Sequence, residues 1–118
     1  MTVFAAFSND EILADLKANV TGGSVITDPA TLKQQSFSPN LTDDDSGLAL
    51  AFIEAHSTAD VQGVLKTARK YHVPVVTQNR FTSTVIGADG IAGSFILSTA
   101  GMNQIKEISK ADSLAVVD

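Results

Sequence analysis

Two short apolar runs with an amphipathic stretch between them constrain this chain most. Residues 48–53 are apolar throughout, a length and pattern suited to a strand buried on both faces. Ser57 then offers a hydroxyl N-cap, with Asp60 in the reciprocal place of a capping box, and Val61, Val64, Leu65 and Ala68 recur at helical spacing. Val73, Pro74, Val75 and Val76 follow as a second strand whose proline stands near its start, where a missing donor is tolerable. Strand, helix and strand predict a right-handed parallel crossover. The fold class is therefore α/β (α+β), a small sheet with a parallel βαβ unit flanked by helices.

The flanking segments fit that frame. Ser8 and Glu11 form a capping box, Phe7 can staple onto Ile12, and Ile12, Leu13, Leu16 and Val20 make one apolar face. Thr21, Gly22 and Gly23 end that helix. Val25 and Ile26 read as a short extended piece, and Asp28 with Pro29 starts a short helix over 30–34. Residues 36–47 read as loop. Asp43, Asp44 and Asp45 lack the alternate spacing and distal glutamate of a calcium loop, so a solvated acidic turn is expected there. A longer loop spans 77–93. Strands are expected around Phe95, Ile96 and Leu97, over 105–108 and over 114–117, with turns at 99–103 and near Lys110, Ala111 and Asp112.

Charge and composition exclude several classes of function. At 118 residues and 44% hydrophobic, the chain suits one domain with a real core. Eight basic against thirteen acidic residues leave a net charge of −5, which disfavours nucleic-acid binding through a general basic field. The absence of cysteine removes disulfides, thiolate metal sites and cysteine nucleophiles. Sequons at Asn19 and Asn40 would matter only in a secreted eukaryotic chain. The start lacks the basic and apolar regions of a signal peptide, and no apolar run reaches the roughly 20 residues of a membrane span. A cytoplasmic, non-membrane protein is expected. The final strand reaches Asp118 with no cap or tail, so a longer parent protein is expected too.

From residue 25 onward the chain resembles the first part of the flavin domain of the vanillyl-alcohol oxidase and para-cresol methylhydroxylase (PCMH-type) family. The residues that carry the resemblance stand in the family's order. His56, Ser57, Thr58, Ala59, Asp60 and Val61 resemble its S-T-x-D/E-V helix start, and 65–76 its helix and following strand. Ile96, Leu97 and Ser98 with Met102, Asn103, Gln104 and Ile105 resemble its L-D-L-S-x-M-N-x-I segment. Residues 113–117 resemble the strand that leads to E-P-G. Within the family the chain is most similar to glycolate oxidase and FAD-linked D-lactate dehydrogenase flavoproteins. The resemblance implies an incomplete first FAD-binding subdomain over 25–118 that continues in the parent. Residues 1–24 read as an N-terminal helical segment ahead of it.

The loop after the second strand is where the resemblance implies cofactor contact. The family carries R-G-G-G-T there, whose backbone N–H groups meet the FAD pyrophosphate, because glycines permit close approach and positive φ. This chain has Gln78, Asn79, Arg80 and Phe81 in place of the arginine and glycines. Thr82 matches the threonine, Ser83 departs, and Gly87 with Ala88 match the end of the motif. These eight residues are the candidate FAD contacts. Side chains at Asn79, Arg80 and Phe81 would crowd a pyrophosphate held by backbone alone. Arg80 adds a cation and its neighbours add polar groups, so an anion site built partly from side chains is physically open. The other reading is a polar surface loop that has lost its ligand.

No Rossmann or P-loop fingerprint is present, since residues 82–93 show no helical pattern. His56 and His72 lie outside the loop, so covalent flavin attachment through them is not expected. Both read as structural, and Met102 reads as core filler. No catalytic residue and no metal site is assigned. The resemblance implies a piece of an FAD-dependent oxidoreductase of a 2-hydroxy acid, lactate or glycolate in type, with non-covalent FAD. Its partners would be the parent's remaining subdomains, with a homo-oligomer also open through the face those subdomains would cover. Alone, the fragment is expected to be inactive. The alternative is a non-enzymatic α/β binding or interaction module without flavin.

Overall fold

The computed structural model describes residues 8–36, 48–79 and 92–118. In chain order the elements are α1 (Asn9–Asn19), β1 (Ser24–Ile26), α2 (Pro29–Ser36), β2 (Ala51–Glu54), α3 (Thr58–Tyr71), β3 (Val75–Gln78), β4 (Phe95–Ser98), β5 (Ile105–Ser109) and β6 (Leu114–Val117). Every expected helix and strand is present, with ends shifted by a few residues. Phe7 and the acidic turn at Asp43, Asp44 and Asp45 lie outside the described residues.

The main sheet has four strands in the order β1-β2-β4-β3. β1 is antiparallel to β2, while β2, β4 and β3 are mutually parallel. The crossover from β2 through α3 to β3 is therefore parallel but skips a place, and β4 later enters the gap. β4 is buried along its whole length because it is central and covered on both faces.

Alternation along the strands divides the core into two layers. Ala51, Ile53, Phe95 and Leu97 pack with Ile12, Leu16 and Val20 of α1 and Val64, Ala68 and Tyr71 of α3. Phe52 and Ile96 point the other way, against Leu32 of α2 and Ala49. A sheet with helices on both faces is what the unbroken apolar run at β2 calls for. α1 belongs to the same core as the sheet.

The two helices on the first face approach closely. Gly63 makes this possible, since a Cβ there would run into the Asn19 carbonyl oxygen. Asn19 Nδ2 donates to Thr67 Oγ1 at 2.8 Å, and that hydroxyl donates to the Gly63 carbonyl at 2.9 Å. At the other end of the contact, Lys70 Nζ lies 2.7 Å from an Asp15 carboxylate oxygen that also accepts from the Tyr71 hydroxyl. The Lys70 hydrogen bond and then the Tyr71 one hold the Asp15 carboxyl below its usual range. The buried stripe of α3 runs through Asp60, Gly63, Val64, Thr67, Ala68 and Tyr71. Leu65, expected on the apolar face, is instead 49% exposed. Polar Asp60 and Thr67 take the inward places because each has hydrogen-bond partners there, His56 and Gly22 N–H for Asp60 and Asn19 with the Gly63 carbonyl for Thr67.

All three sequence-expected N-caps form, with Thr31 N–H donating to Asp28 Oδ2 at 3.2 Å at the start of α2. Glu11 N–H donates to Ser8 Oγ at 3.2 Å and Asp60 N–H to Ser57 Oγ at 3.3 Å. The C-terminus of α3 closes on His72, which adopts a left-handed φ of 56°. Val73 N–H then reaches the Ala68 carbonyl at 2.9 Å, the long bond of a Schellman closure.

β5 and β6 form a separate antiparallel hairpin with a bulge between Ile105 and Glu107. The bulge puts Ile105 and Ile108 on one face, opposite Val117 and Ala115. That face is uncovered among the described residues, with Ile105 66% and Ile108 72% exposed. No helix among the described residues is long and apolar enough to cross a membrane.

Candidate functional site

The three parallel strands end on one edge of the sheet. Glu54, Ser98 and Gln78 stand side by side in register there. Open α/β sheets present ligands at the carboxyl ends of their strands, because loops and helix N-termini converge there. Of the eight candidate cofactor residues, Gln78 and Asn79 are described and lie on this edge. Arg80, Phe81, Thr82, Ser83, Gly87 and Ala88 lie outside the described residues.

Gln78 and Asn79 have different environments. Gln78 is 4% exposed, and its Nε2 donates to the Gln35 carbonyl at 2.7 Å. Its side chain thus ties β3 to the end of α2, while its backbone carbonyl accepts from Thr99 N–H at 2.9 Å. Asn79 is exposed, with Nδ2 3.5 Å from Thr99 Oγ1. Its carbonyl accepts from Ser98 Oγ at 3.3 Å. The same hydroxyl accepts from Ala100 N–H, also at 3.3 Å. Sequence reasoning assigned Ser98 and Thr99 no role at this site. A serine and a threonine ending a buried strand were the only signal.

Beside the strand ends lies a polar groove of about 560 Å³. His56, Ser57 and Thr58 at the start of α3 form one wall, and Gly101, Lys106 and Asp118 face them. The His56 ring packs on Gly101, where a Cβ would collide with it. Lys106 Nζ lies 3.3 Å from the Asp118 carboxylate, which also accepts from Gln104 N–H at 2.9 Å. The Gln104 bond first, and Lys106 after it, holds the Asp118 carboxyl below the ordinary aspartate value.

Asp60 is the most deeply buried acid at this end of the fold, 2% exposed. Its expected partner was the capping box alone. Its carboxylate instead accepts from His56 N–H at 3.0 Å and from Gly22 N–H at 3.1 Å, joining the turn after α1 to the start of α3. The His56 bond outweighs the opposing effect of burial, and with Gly22 and Ser57 it keeps the carboxyl below its usual range.

An apolar cavity of about 240 Å³ occupies the opposite edge, between Ile12, Leu50, Val73 and Pro74. Among the described residues no titratable side chain lines it, and it lies away from the strand ends that gather polar groups. Met102 packs against the main core. Among the described residues no group of three or more His, Cys, Asp or Glu could hold a metal ion.

The arrangement resembles known flavoproteins. The chain is similar to 4-ethylphenol oxidase from Gulosibacter chungangensis, solved in complex with isoeugenol, with 25% identity and a TM-score of 0.78 over 98% of this chain and 22% of that one. It shares the fold of p-cresol methylhydroxylase, with 20% identity and a TM-score of 0.72 over 85% of this chain and 20% of that one. It also shares the fold of alkyldihydroxyacetonephosphate synthase, with 17% identity and a TM-score of 0.76 over 92% and 22%. The chain thus spans about a fifth of the length of these structures. No curated protein matches it. A model of the family described as FAD binding domain matches residues 49–118, from the entry to β2 onward. With that match over more than half its length, the chain belongs to the FAD-binding domain family of the PCMH and vanillyl-alcohol oxidase flavoproteins.

Proposed function

We propose that this chain contributes the diphosphate-binding loop of an FAD-dependent oxidoreductase, with residues 78–88 facing the cofactor. The observation that carries the reading is the family match over residues 49–118, which includes the loop leaving the carboxyl edge. The residue types suit an anion. No carboxylate occurs from Gln78 to Ala88, whereas Arg80 brings a cation and Asn79, Thr82 and Ser83 bring neutral donors. Because the Gln78 amide is engaged with Gln35, the side-chain contribution passes to Asn79 and Arg80. Bound FAD would supply hydride acceptance, and this chain would supply position and charge.

The substrate class is the finer part of the proposal. The sequence resemblance favours a 2-hydroxy acid of the lactate or glycolate type. Similarity to a 4-ethylphenol oxidase makes a phenol the competing class. Anaerobic bleaching of the flavin in the longer protein by lactate, glycolate or 4-ethylphenol separates them.

Titration of FAD into the chain, followed by quenching of flavin fluorescence, tests the core of the reading. Saturable binding that weakens in Arg80→Ala supports it. Binding unaffected by Arg80→Ala would move the diphosphate elsewhere. No binding by this chain or by the longer protein would leave the interaction-module reading, which the glycine-poor loop favours.

A further inference from the structure

We infer that Ser98 and Thr99 are positioning residues for the loop that leaves β3, an inference that rests on the FAD reading of that loop. Gln78 and Asn79 are the last described residues before the loop, and both of their carbonyls are held by the end of β4. Thr99 N–H holds the Gln78 carbonyl at 2.9 Å, and the Thr99 hydroxyl also donates to it, at 3.4 Å. Ser98 Oγ donates to the Asn79 carbonyl at 3.3 Å. Ordinary sheet pairing ends at Gln78, opposite Ser98. The bond to Asn79 is thus an extra, side-chain rung that carries β4's grip one residue beyond the ladder.

A peptide unit is planar, so holding a carbonyl also fixes the orientation of the N–H that follows it. An anion site made of successive backbone N–H groups depends on those orientations. Ser98 is 1% exposed and β4 is paired on both sides, so the hydroxyl sits on a buried, fully paired strand of the sheet. It is itself held from behind by Ala100 N–H at 3.3 Å. The backbone at Asn79 is therefore oriented by a strand that follows it in sequence.

Three variants test this. Ser98→Ala removes the extra rung, and Thr99→Val removes the second hydroxyl while keeping the backbone bond. Thr67→Val is the matched control, since its buried hydroxyl also has two partners but lies between α1 and α3. Two readouts are taken: amide hydrogen exchange of residues 80–84, and the Kd for FAD. Ser98→Ala is expected to speed exchange at those amides and raise the Kd about tenfold, the scale of one misdirected hydrogen bond to a charged group. Thr99→Val should act in the same direction, more weakly. Thr67→Val should leave both readouts within about twofold while lowering Tm, as expected of a buried hydroxyl at a distance. Unchanged exchange in both Ser98→Ala and Thr99→Val overturns the inference, as does an equal effect of Thr67→Val. Faster exchange with an unchanged Kd overturns the link to FAD. If neither the wild-type chain nor the longer protein binds FAD, the cofactor reading falls and the exchange rates still decide whether Ser98 positions the loop. Should Ser98→Ala fail to fold, Thr99→Val against Thr67→Val decides it.

Discussion

Replacing Asp60 should cost this fold more than its place in a single helix turn suggests. The carboxylate is 2% exposed and accepts two backbone hydrogen bonds, from His56 and from Gly22, 38 residues away along the chain. A hydrogen bond to a charged group contributes about 1.5–3 kcal/mol, and a buried donor left without an acceptor incurs its desolvation cost. Asp60→Ala leaves two part-buried donors, on His56 and Gly22, without their acceptor, and water reaching these exposed residues offsets some of the loss. A net destabilisation of about 3 kcal/mol is expected. Asp60→Asn keeps one acceptor oxygen but turns an amide donor toward the second N–H, so it should cost about 2 kcal/mol. Urea denaturation followed by circular dichroism at pH 7 measures both. The pH dependence adds an independent arm. The folded carboxyl sits below the ordinary 3.8, so its stabilisation is present above that pH. It is lost as pH falls through the lower folded value. The gap between wild type and Asp60→Asn should therefore hold from pH 7 to about pH 5 and narrow below pH 4. A cost under about 1 kcal/mol for Asp60→Ala, or a gap that widens in acid, would refute the reasoning.

Three further outcomes follow from the packing. Gly63→Ala gains about 1 kcal/mol of helix propensity but drives a Cβ into the Asn19 carbonyl, so a net loss of about 2 kcal/mol is expected in thermal or urea unfolding. His72→Gly relieves a left-handed residue at the end of α3 and should raise stability by a few tenths to about 1 kcal/mol; a lower Tm would argue against strain at that cap. The uncovered face of the β5–β6 hairpin should make the chain self-associate, and Ile105→Thr with Ile108→Thr should shift light scattering toward monomer; a strictly monomeric wild type at high concentration speaks against it.

The features legible in the sequence were those with short-range causes. The Ser8 and Ser57 caps, the apolar runs at β2 and β4, and the turn after Asn19 each depend on residues within a few positions, so pattern alone located them. What escaped has partners far away. Asp60 reads locally as a capping-box acid, and only the return of Gly22 reveals its second bond. Leu65 fits the helical stripe by spacing, but the crossing of α1 over Gly63 rotates the buried face past it. Gln78 looks like a loop donor until α2 brings the Gln35 carbonyl to it. The family was readable from the order of weak motifs. The Ser98 rung to Asn79 was not, because it links residues 19 positions apart.

The strand order has a consequence for how the chain comes together. Among the described residues, β4 is the last of the four sheet strands to be made and the only one that touches both β2 and β3. Among the described strands, until residues 95–98 emerge, β2 can pair only with the three-residue β1, and β3 has no neighbour. Each stays an open edge during synthesis, the kind of surface that recruits wrong partners. The sheet then closes by insertion rather than by stacking from one side, with the 16 residues (79–94) between β3 and β4 to be spanned in the same event. A chain stopped before Phe95 would hold most of the helical face and no parallel sheet for it to rest on.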